Sequence, residues 1–148
     1  MSTKQLQLNI VTPEKLILQE VVDFVTVATT EGELTILPNH IPLIAVLAHG
    51  DIVAMTQGEY VPIAVVGGFL EVKQENGNTI VVVLADFAEH VADISDEEIA
   101  KAQKRAEELR IAAENKDIVD FEHFQTDLER SLTRVKIADK WRRKKYRR

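Results

Sequence analysis

The sequence contains no cysteine, so disulfide bonds, thiolate metal sites and a cysteine nucleophile are excluded. No apolar run approaches the roughly 20 residues needed to cross a bilayer, and residues 1–7 lack the basic-then-apolar pattern of a signal peptide. All six glycines and all four prolines lie at or before Gly77, so residues 78–148 lack glycine and proline, which most often mark turns. We therefore expect an intracellular protein that contacts a membrane only through a partner, without inserting into it.

Residues 1–93 have the pattern of an antiparallel β-sandwich with about nine to ten short strands. Apolar and polar residues alternate with a period of two, and β-branched residues are frequent. Asn76-Gly77 predicts a tight hairpin because both residues tolerate a positive φ, and Gly67-Gly68 predicts a bend within a strand. The other turn signals are Thr12-Pro13, Glu31-Gly32, Pro38-Asn39, His49-Gly50-Asp51 and Gln57-Gly58.

Residues 94–148 have a helical period and predict an antiparallel two-helix hairpin. Ser95 and Glu98 have the spacing of a capping box, so the first helix is expected to run from about Ser95 to Glu114. Asn115–Asp117 is the expected turn, and a second helix follows from near Asp117 or Asp120. Its expected apolar stripe consists of Phe121, Phe124, Leu128, Leu132, Val135 and Ala138.

The charge is distributed unevenly along the chain. Lys140–Arg148 contains seven basic residues and no acidic ones, whereas the other 139 residues carry 11 basic and 24 acidic residues, a net charge of −13. A basic tail on an acidic body is typical of an interaction segment. A frayed, solvated terminus is an equally open interpretation.

Several motifs in order resemble the epsilon subunits of bacterial and chloroplast-type ATP synthases. They are Leu8–Glu14, Thr30–Leu43, Gly67–Val72, Leu84–Asp86 and Val119–Phe121. The resemblance implies a non-catalytic central-stalk subunit whose β-sandwich docks on the gamma subunit and against the membrane rotor ring. It also implies that the helical hairpin can extend toward the alpha/beta catalytic head and inhibit ATP hydrolysis. The expected location is the cytoplasmic face of the plasma membrane, or its organellar inner-membrane equivalent.

The resemblance selects Glu31 and His40 as contacts with gamma and the ring, although the segment between them also fits an ordinary polar loop. In the second helix it selects Arg130, Arg134, Lys136 and the basic run from Lys140, including Arg142 and Arg143, as contacts with an acidic loop of the head. The alanine-rich side of the first helix buries little area, which favours reversible docking. A permanently packed hairpin is the alternative.

Some members of this family bind ATP through an Ile/Leu-Asp-x-x-Arg-Ala motif. The matching stretch here is Ile94–Ile99, in which Ser95 stands in place of the Asp and Glu98 in place of the Arg. A shift by one residue restores an acidic residue at Asp96 but places Ile99 at the Arg position. Because the cation that would face phosphate is missing in both registers, we predict weak ATP binding or none, and no cofactor.

The residues suggest neither a catalytic site nor a metal site. The four histidines are scattered, and isolated loop histidines such as His40 and His49 are usually polar surface. Two other functions remain open: a β-sandwich module with a nucleic-acid-contacting basic helix, in which Trp141 and Tyr146 interleave the cations, and a stand-alone structural domain. The acidic body argues against nucleic acid because it would repel a phosphate backbone.

Overall fold

The computed structural model describes residues 4–114 and 121–145. The chain forms two compact units, Met1–His90 and Val91–Arg148. Within the described residues the first unit has seven strands: β1 Leu6–Val11, β2 Leu16–Val22, β3 Phe24–Thr29, β4 Gly32–Ile36, β5 Leu43–Thr56, β6 Glu59–Glu75 and β7 Asn78–His90. The second unit begins with a 3₁₀ turn, Val91–Asp93, followed by α1 Asp96–Glu114 and α2 Phe121–Lys145.

The strands lie in the order β2-β1-β7-β6-β5-β3-β4. All neighbours are antiparallel except β1 and β7, which pair in parallel, so the expectation of a purely antiparallel arrangement is wrong for that pair. The sheet curls over one core, because β2 contacts β5 and the Asp23 N–H donates a 2.8 Å hydrogen bond to the Met55 carbonyl. The sandwich-like architecture is confirmed.

The expected nine to ten strands are too many, because β5 continues through a predicted turn. β5 runs through His49-Gly50-Asp51, where it bends without reversing: Thr29 pairs with Leu47, but Val27 pairs with Ile52. β6 runs through Gly67-Gly68, which confirms the predicted bend within a strand. Two neighbouring segments that each show the alternation of a separate strand are therefore the two halves of one bent strand.

The core of the first unit receives side chains from all seven strands. Leu6, Leu8 and Ile10 of β1 are 1% exposed or less and alternate with outward-facing polar residues, as the period of two predicts. Truncation of one such side chain to alanine costs about 2–5 kcal/mol in a core that relaxes only partly. The sheet is therefore a stiff support for its surface residues.

Two tight hairpins connect the long strands. Asn76 and Gly77 have φ values of 53° and 81° between the paired residues Glu75 and Asn78, which confirms the predicted turn. Gln57-Gly58 forms the corresponding turn between β5 and β6, with φ values of 51° and 77°. Both turns match the right-handed twist of the flanking strands.

The start of α1 confirms the predicted capping box. The Ser95 N–H donates to Glu98 Oε2 at 2.9 Å, and the Glu98 N–H donates to Ser95 Oγ at 3.1 Å. These bonds satisfy amides that have no partner within the helix. The buried positions of α1 are Ile99, Ala102, Ala106 and Leu109, which recur at the three- and four-residue spacing of one helix face.

The burial of α2 differs from the predicted stripe. Ala138 is buried, but Leu132 is 52% exposed, whereas Thr133 and Ile137 are buried. Because α2 has apolar side chains on more than one side, its period alone did not select the buried positions. The predicted turn at residues 115–117, the start of α2 at 117 or 120 and the Phe121 side chain lie outside the described residues.

Candidate partner-binding surfaces

The outward face of the sheet carries a row of exposed apolar side chains. Phe69 of β6 pairs with Val46 of β5 on one side and with Leu84 of β7 on the other, and Leu84 pairs with Val11 of β1. Directly paired residues point to the same face of a sheet, so these four form one continuous line, here called the outer apolar row. Val46, Phe69 and Leu84 are 47%, 58% and 56% exposed. A contiguous exposed apolar patch of this kind marks an interaction surface.

The row continues along β5 through Ile44, which is 72% exposed and lies two residues before Val46 on the same face. Sequence reasoning missed this surface, because it treated the apolar runs as core. Register counting from the Asn76-Gly77 hairpin would have found it, since the turn pairs Glu75 with Asn78 and therefore Phe69 with Leu84. The buried neighbour Leu70 would then have fixed the outward direction of Phe69.

The Gly67-Gly68 bend positions the row. Both glycines have a positive φ, 70° and 119°. A Cβ at Gly68 would lie 2.1 Å from the Leu84 carbonyl oxygen, and a Cβ at Gly67 would lie 2.5 Å from Asp86 Oδ2. Because the overlap at Gly68 is with backbone, glycine is required there for β6 to approach β7 closely just before Phe69.

Glu31 lies in the tight turn between β3 and β4. The Thr29 hydroxyl donates a 2.6 Å hydrogen bond to the Gly32 carbonyl and accepts a 3.2 Å bond from the Glu31 N–H. Gly32 has φ 115°, which favours glycine. The turn is thus ordered by its own backbone, and the exposed Glu31 carboxylate projects from a fixed point.

His40 lies at the other end of β4, whose five residues span roughly 17 Å at ~3.3 Å per residue. Its N–H donates to the Leu37 carbonyl at 3.1 Å and closes a turn in which Asn39 has φ 71°. Pro38 and Asn39 in the central positions, with positive φ at the second, are typical of a type II turn. The His40 Nδ1 bonds the Ile41 carbonyl at 2.7 Å.

The His40 turn is fastened to the β6–β7 hairpin. The Asn39 N–H donates to Thr79 Oγ1 at 2.7 Å, and Gln74 Nε2 donates to the His40 carbonyl at 2.7 Å. Thr79, which is buried, also donates to Gln74 Oε1 at 3.1 Å. The structure therefore holds both predicted contact residues rigidly but does not gather them into one site.

Two of the predicted basic contacts in α2 are engaged with α1. Arg134 Nη2 lies 3.8 Å from Glu98 Oε1, and Arg142 forms an ion pair with Asp96. A third pair, Arg105 with Asp127 at 3.4 Å, lies nearer the other end of the hairpin. This pairing order makes the two helices antiparallel, as predicted.

The other predicted basic contacts also belong to α2. Arg130 is half-buried, Lys136 is exposed, and Lys140 Nζ lies 6.0 Å from the centre of the Trp141 ring. The side chain of Arg143 lies outside the described part of the chain. The basic run is mostly helical, because α2 continues to Lys145.

The stretch Ile94–Ile99, which corresponds to the ATP motif of some family members, contains the start of α1. Ser95 and Glu98 cap each other, and Ile94 and Ile99 are buried in a small cluster with Ala138. Hydrogen bonding by the Ser95 backbone N–H is the largest cause that lowers the pKa of Glu98; Arg134 adds to it and burial opposes it. An ionised carboxylate therefore stands where the family's ATP motif has a cation.

Residues 4–114 and 121–145 contain no group of three or more histidine, cysteine or acidic side chains arranged to hold a metal ion. Neither helix in these ranges is long and apolar enough to span a bilayer.

Residues 5–91 match the family model described as the ATP synthase Delta/Epsilon chain beta-sandwich domain. The chain is 41% identical over 136 residues to the ATP synthase epsilon chain of Desulforamulus reducens, covering 92% of this chain and 98% of that one. It is 40% identical over 134 residues to the epsilon chain of Nitratidesulfovibrio vulgaris, covering 90% and 96%. The chain belongs to the ATP synthase epsilon chain family.

Solved structures agree with this assignment. A chain of the Euglena gracilis mitochondrial ATP synthase, in a structure of its OSCP, F1 and c-ring, matches with a TM-score of 0.65 and 28% identity, over 84% of this chain and 76% of that one. A chain from the central stalk and c-ring of the Tetrahymena thermophila enzyme shares the fold, with a TM-score of 0.56 and 17% identity, over 94% and 98%. As an epsilon chain, the protein is a non-catalytic central-stalk subunit of the proton-translocating F-type ATP synthase.

Proposed function

We propose that the β-sheet unit of this epsilon chain docks on the gamma subunit through the outer apolar row, while the Glu31 and His40 turns contact the membrane rotor ring. The row, formed by Val46, Phe69, Leu84 and Val11, carries the proposal because permanent interfaces are richer in apolar area than the surrounding surface. The Glu31 and His40 turns are suited to contact exposed loops of the ring, because their ordered backbones hold the side chains of the turns at fixed positions.

Torque transmission explains why these contacts lie on a stiff support. A rotor subunit that couples proton flow to ATP synthesis must turn with its partners without slipping. Three side chains of the outer apolar row belong to β5, β6 and β7, and the inward-facing side chains of these strands are almost fully buried. Packed interiors have low compressibility, so a load applied to Phe69 passes into the whole sheet.

The helical unit supports a regulatory role. In an extended hairpin, Arg130, Arg134, Lys136 and the run from Lys140 would face an acidic surface of the alpha/beta catalytic head and oppose ATP hydrolysis. Opposite charges raise the rate of encounter and fix orientation, and added salt weakens both effects. The complex would lie on the cytoplasmic face of the plasma membrane, or the equivalent organellar face, with this chain peripheral to the bilayer.

The docking proposal is tested by Phe69→Asp, which places a charge in the middle of the row. We expect the variant to remain folded but to be lost when the ATP synthase is purified, because an unpaired carboxylate would be buried in the interface. The matched control is Tyr60→Asp, at a side chain of similar exposure, 59% against 58%, in the other half of β6. Equal retention of a folded Phe69→Asp variant and the control would contradict docking through the row.

A further inference from the structure

Glu98 connects the two helices because each of its carboxylate oxygens has a different partner. Oε2 accepts the Ser95 N–H at 2.9 Å, which fixes the first turn of α1. Oε1 lies 3.8 Å from Arg134 Nη2 on α2. The same end of the hairpin carries a second ion pair, between Asp96 of α1 and Arg142 of α2. The acidic first turn of α1 thus neutralises two cations of the basic half of α2.

The apolar seam at this end is small. Its buried cluster consists of Ile94, Ile99 and Ala138, and the next buried positions along α1 are the alanines 102 and 106. Small side chains remove little apolar area from water, so ion pairs supply a larger share of the preference for a closed hairpin than in a leucine-rich seam. The paired groups are partly exposed, with Arg134 24% and Glu98 43% accessible, so dissolved salt reaches them.

We propose that Asp96 and Glu98 are an internal competitor for the basic half of α2: they hold Arg142 and Arg134 while the hairpin is closed, and an acidic protein surface takes these arginines when it opens. The competition rests on the proposed contact between α2 and the catalytic head. The preference for the closed hairpin does not, because both partners of each pair belong to this chain. One arginine cannot be neutralised by both acidic surfaces in full, so closing the hairpin and engaging the partner exclude each other.

The first test measures the hairpin alone, in the full-length chain. Because the sequence has no cysteine, Ala100→Cys and Lys136→Cys introduce two unique sites on exposed positions of α1 and α2 for spin labels. Packed helices lie about 8–10 Å apart, so the closed hairpin gives a short interspin distance. We expect Asp96→Asn with Glu98→Gln to move the distribution to longer distances at low salt and to make it less sensitive to added salt.

The chain offers a matched control in the same turn. Glu97 pairs with Lys101 within α1, so Glu97→Gln removes one negative charge from the same turn without touching α2 and should leave the distances unchanged. Glutamine at position 98 still accepts the Ser95 N–H, so the start of α1 survives the substitution. Exchanging the partners, Glu98→Arg with Arg134→Glu, should shift the distances back toward the closed hairpin relative to Glu98→Arg alone. Unchanged distances in the Asp96→Asn/Glu98→Gln chain, or equal opening by Glu97→Gln, would overturn the proposal.

The second test separates this inference from the proposed function. ATP hydrolysis by the assembled synthase carrying Asp96→Asn/Glu98→Gln should fall below that with Glu97→Gln, because freed arginines favour the inhibitory contact. If the spin labels show opening but hydrolysis is unchanged, the closing role of the ion pairs stands, and the competition and the inhibitory contact are refuted. If the labels show no opening, the inference fails whatever the hydrolysis rate.

Discussion

Replacing Gly68 by alanine is expected to disrupt the bend that places Phe69 in the outer apolar row. Gly68 has φ 119°, a conformation that residues with a Cβ rarely adopt. The added Cβ would lie 2.1 Å from the Leu84 carbonyl oxygen and 2.8 Å from the Ala85 Cα. Both atoms belong to the backbone of β7, so relief requires β6 and β7 to separate.

Gly77→Ala sets the scale for this loss. Gly77 also has a positive φ, 81°, but a Cβ there would meet nothing within 4 Å. Its cost is therefore the left-handed conformation alone, about 1–2 kcal/mol. Gly68→Ala adds a backbone overlap, and we expect it to exceed about 4 kcal/mol, the range reached by few single substitutions.

The assay must follow the sheet rather than the helices, because the two units need not unfold together. Urea titration monitored by the NMR signal of a buried methyl group, such as that of Leu8, does so. With a slope of roughly 1–3 kcal/mol per molar urea, the midpoint for Gly68→Ala should fall at least about twice as far as that for Gly77→Ala. Equal midpoints for the two variants would refute the argument that the bend requires glycine.

Three further predictions concern the helical unit. The folded-state pKa of Glu98 lies below its ordinary value of 4.5, chiefly because Glu98 accepts the Ser95 N–H, so its stabilisation of the start of α1 is present above that value and is lost as the pH falls through the lowered pKa; helical circular dichroism should show this acid transition and Glu98→Gln should flatten it, whereas identical profiles would contradict it. Calorimetry on the full chain should detect no micromolar ATP binding, since Glu98 stands where a phosphate-binding cation is needed, and a micromolar dissociation constant would be the contrary result. Deleting Trp141–Arg148 should raise ATP hydrolysis by the assembled enzyme at low salt, because the basic run is lost; unchanged latency would count against the proposed contact.

Local chemistry made several elements predictable from the sequence. Ser95 and Glu98 specify a helix start through bonds made within four residues, and Asn76-Gly77 specifies a hairpin through its own φ values. Both were found where predicted. The seam of α1 was also predictable, because a single helix face determines which of its residues are buried.

The remaining features depend on contacts between distant residues. Whether His49-Gly50-Asp51 reverses the chain or bends it depends on which strands pair on either side, as does the parallel pairing of β1 with β7. The ion pair between Arg134 and Glu98 forms only when the two helices pack together, so the sequence indicated Arg134 as a contact residue but not its partner. Phe69 is an exception, because the register set by the Asn76-Gly77 hairpin is enough to pair it with Leu84.

We propose that this chain turns as one body with the stalk and the ring. Because the chain has no cysteine, Glu31→Cys gives a single site in an ordered turn for cross-linking to the membrane ring in the assembled ATP synthase. ATP-driven proton pumping by the cross-linked complex is the decisive measurement. We expect a cross-link to the ring to form and to leave pumping intact, because no motion between the joined parts is required; loss of pumping on cross-linking, or failure to link to the ring, would overturn the proposal.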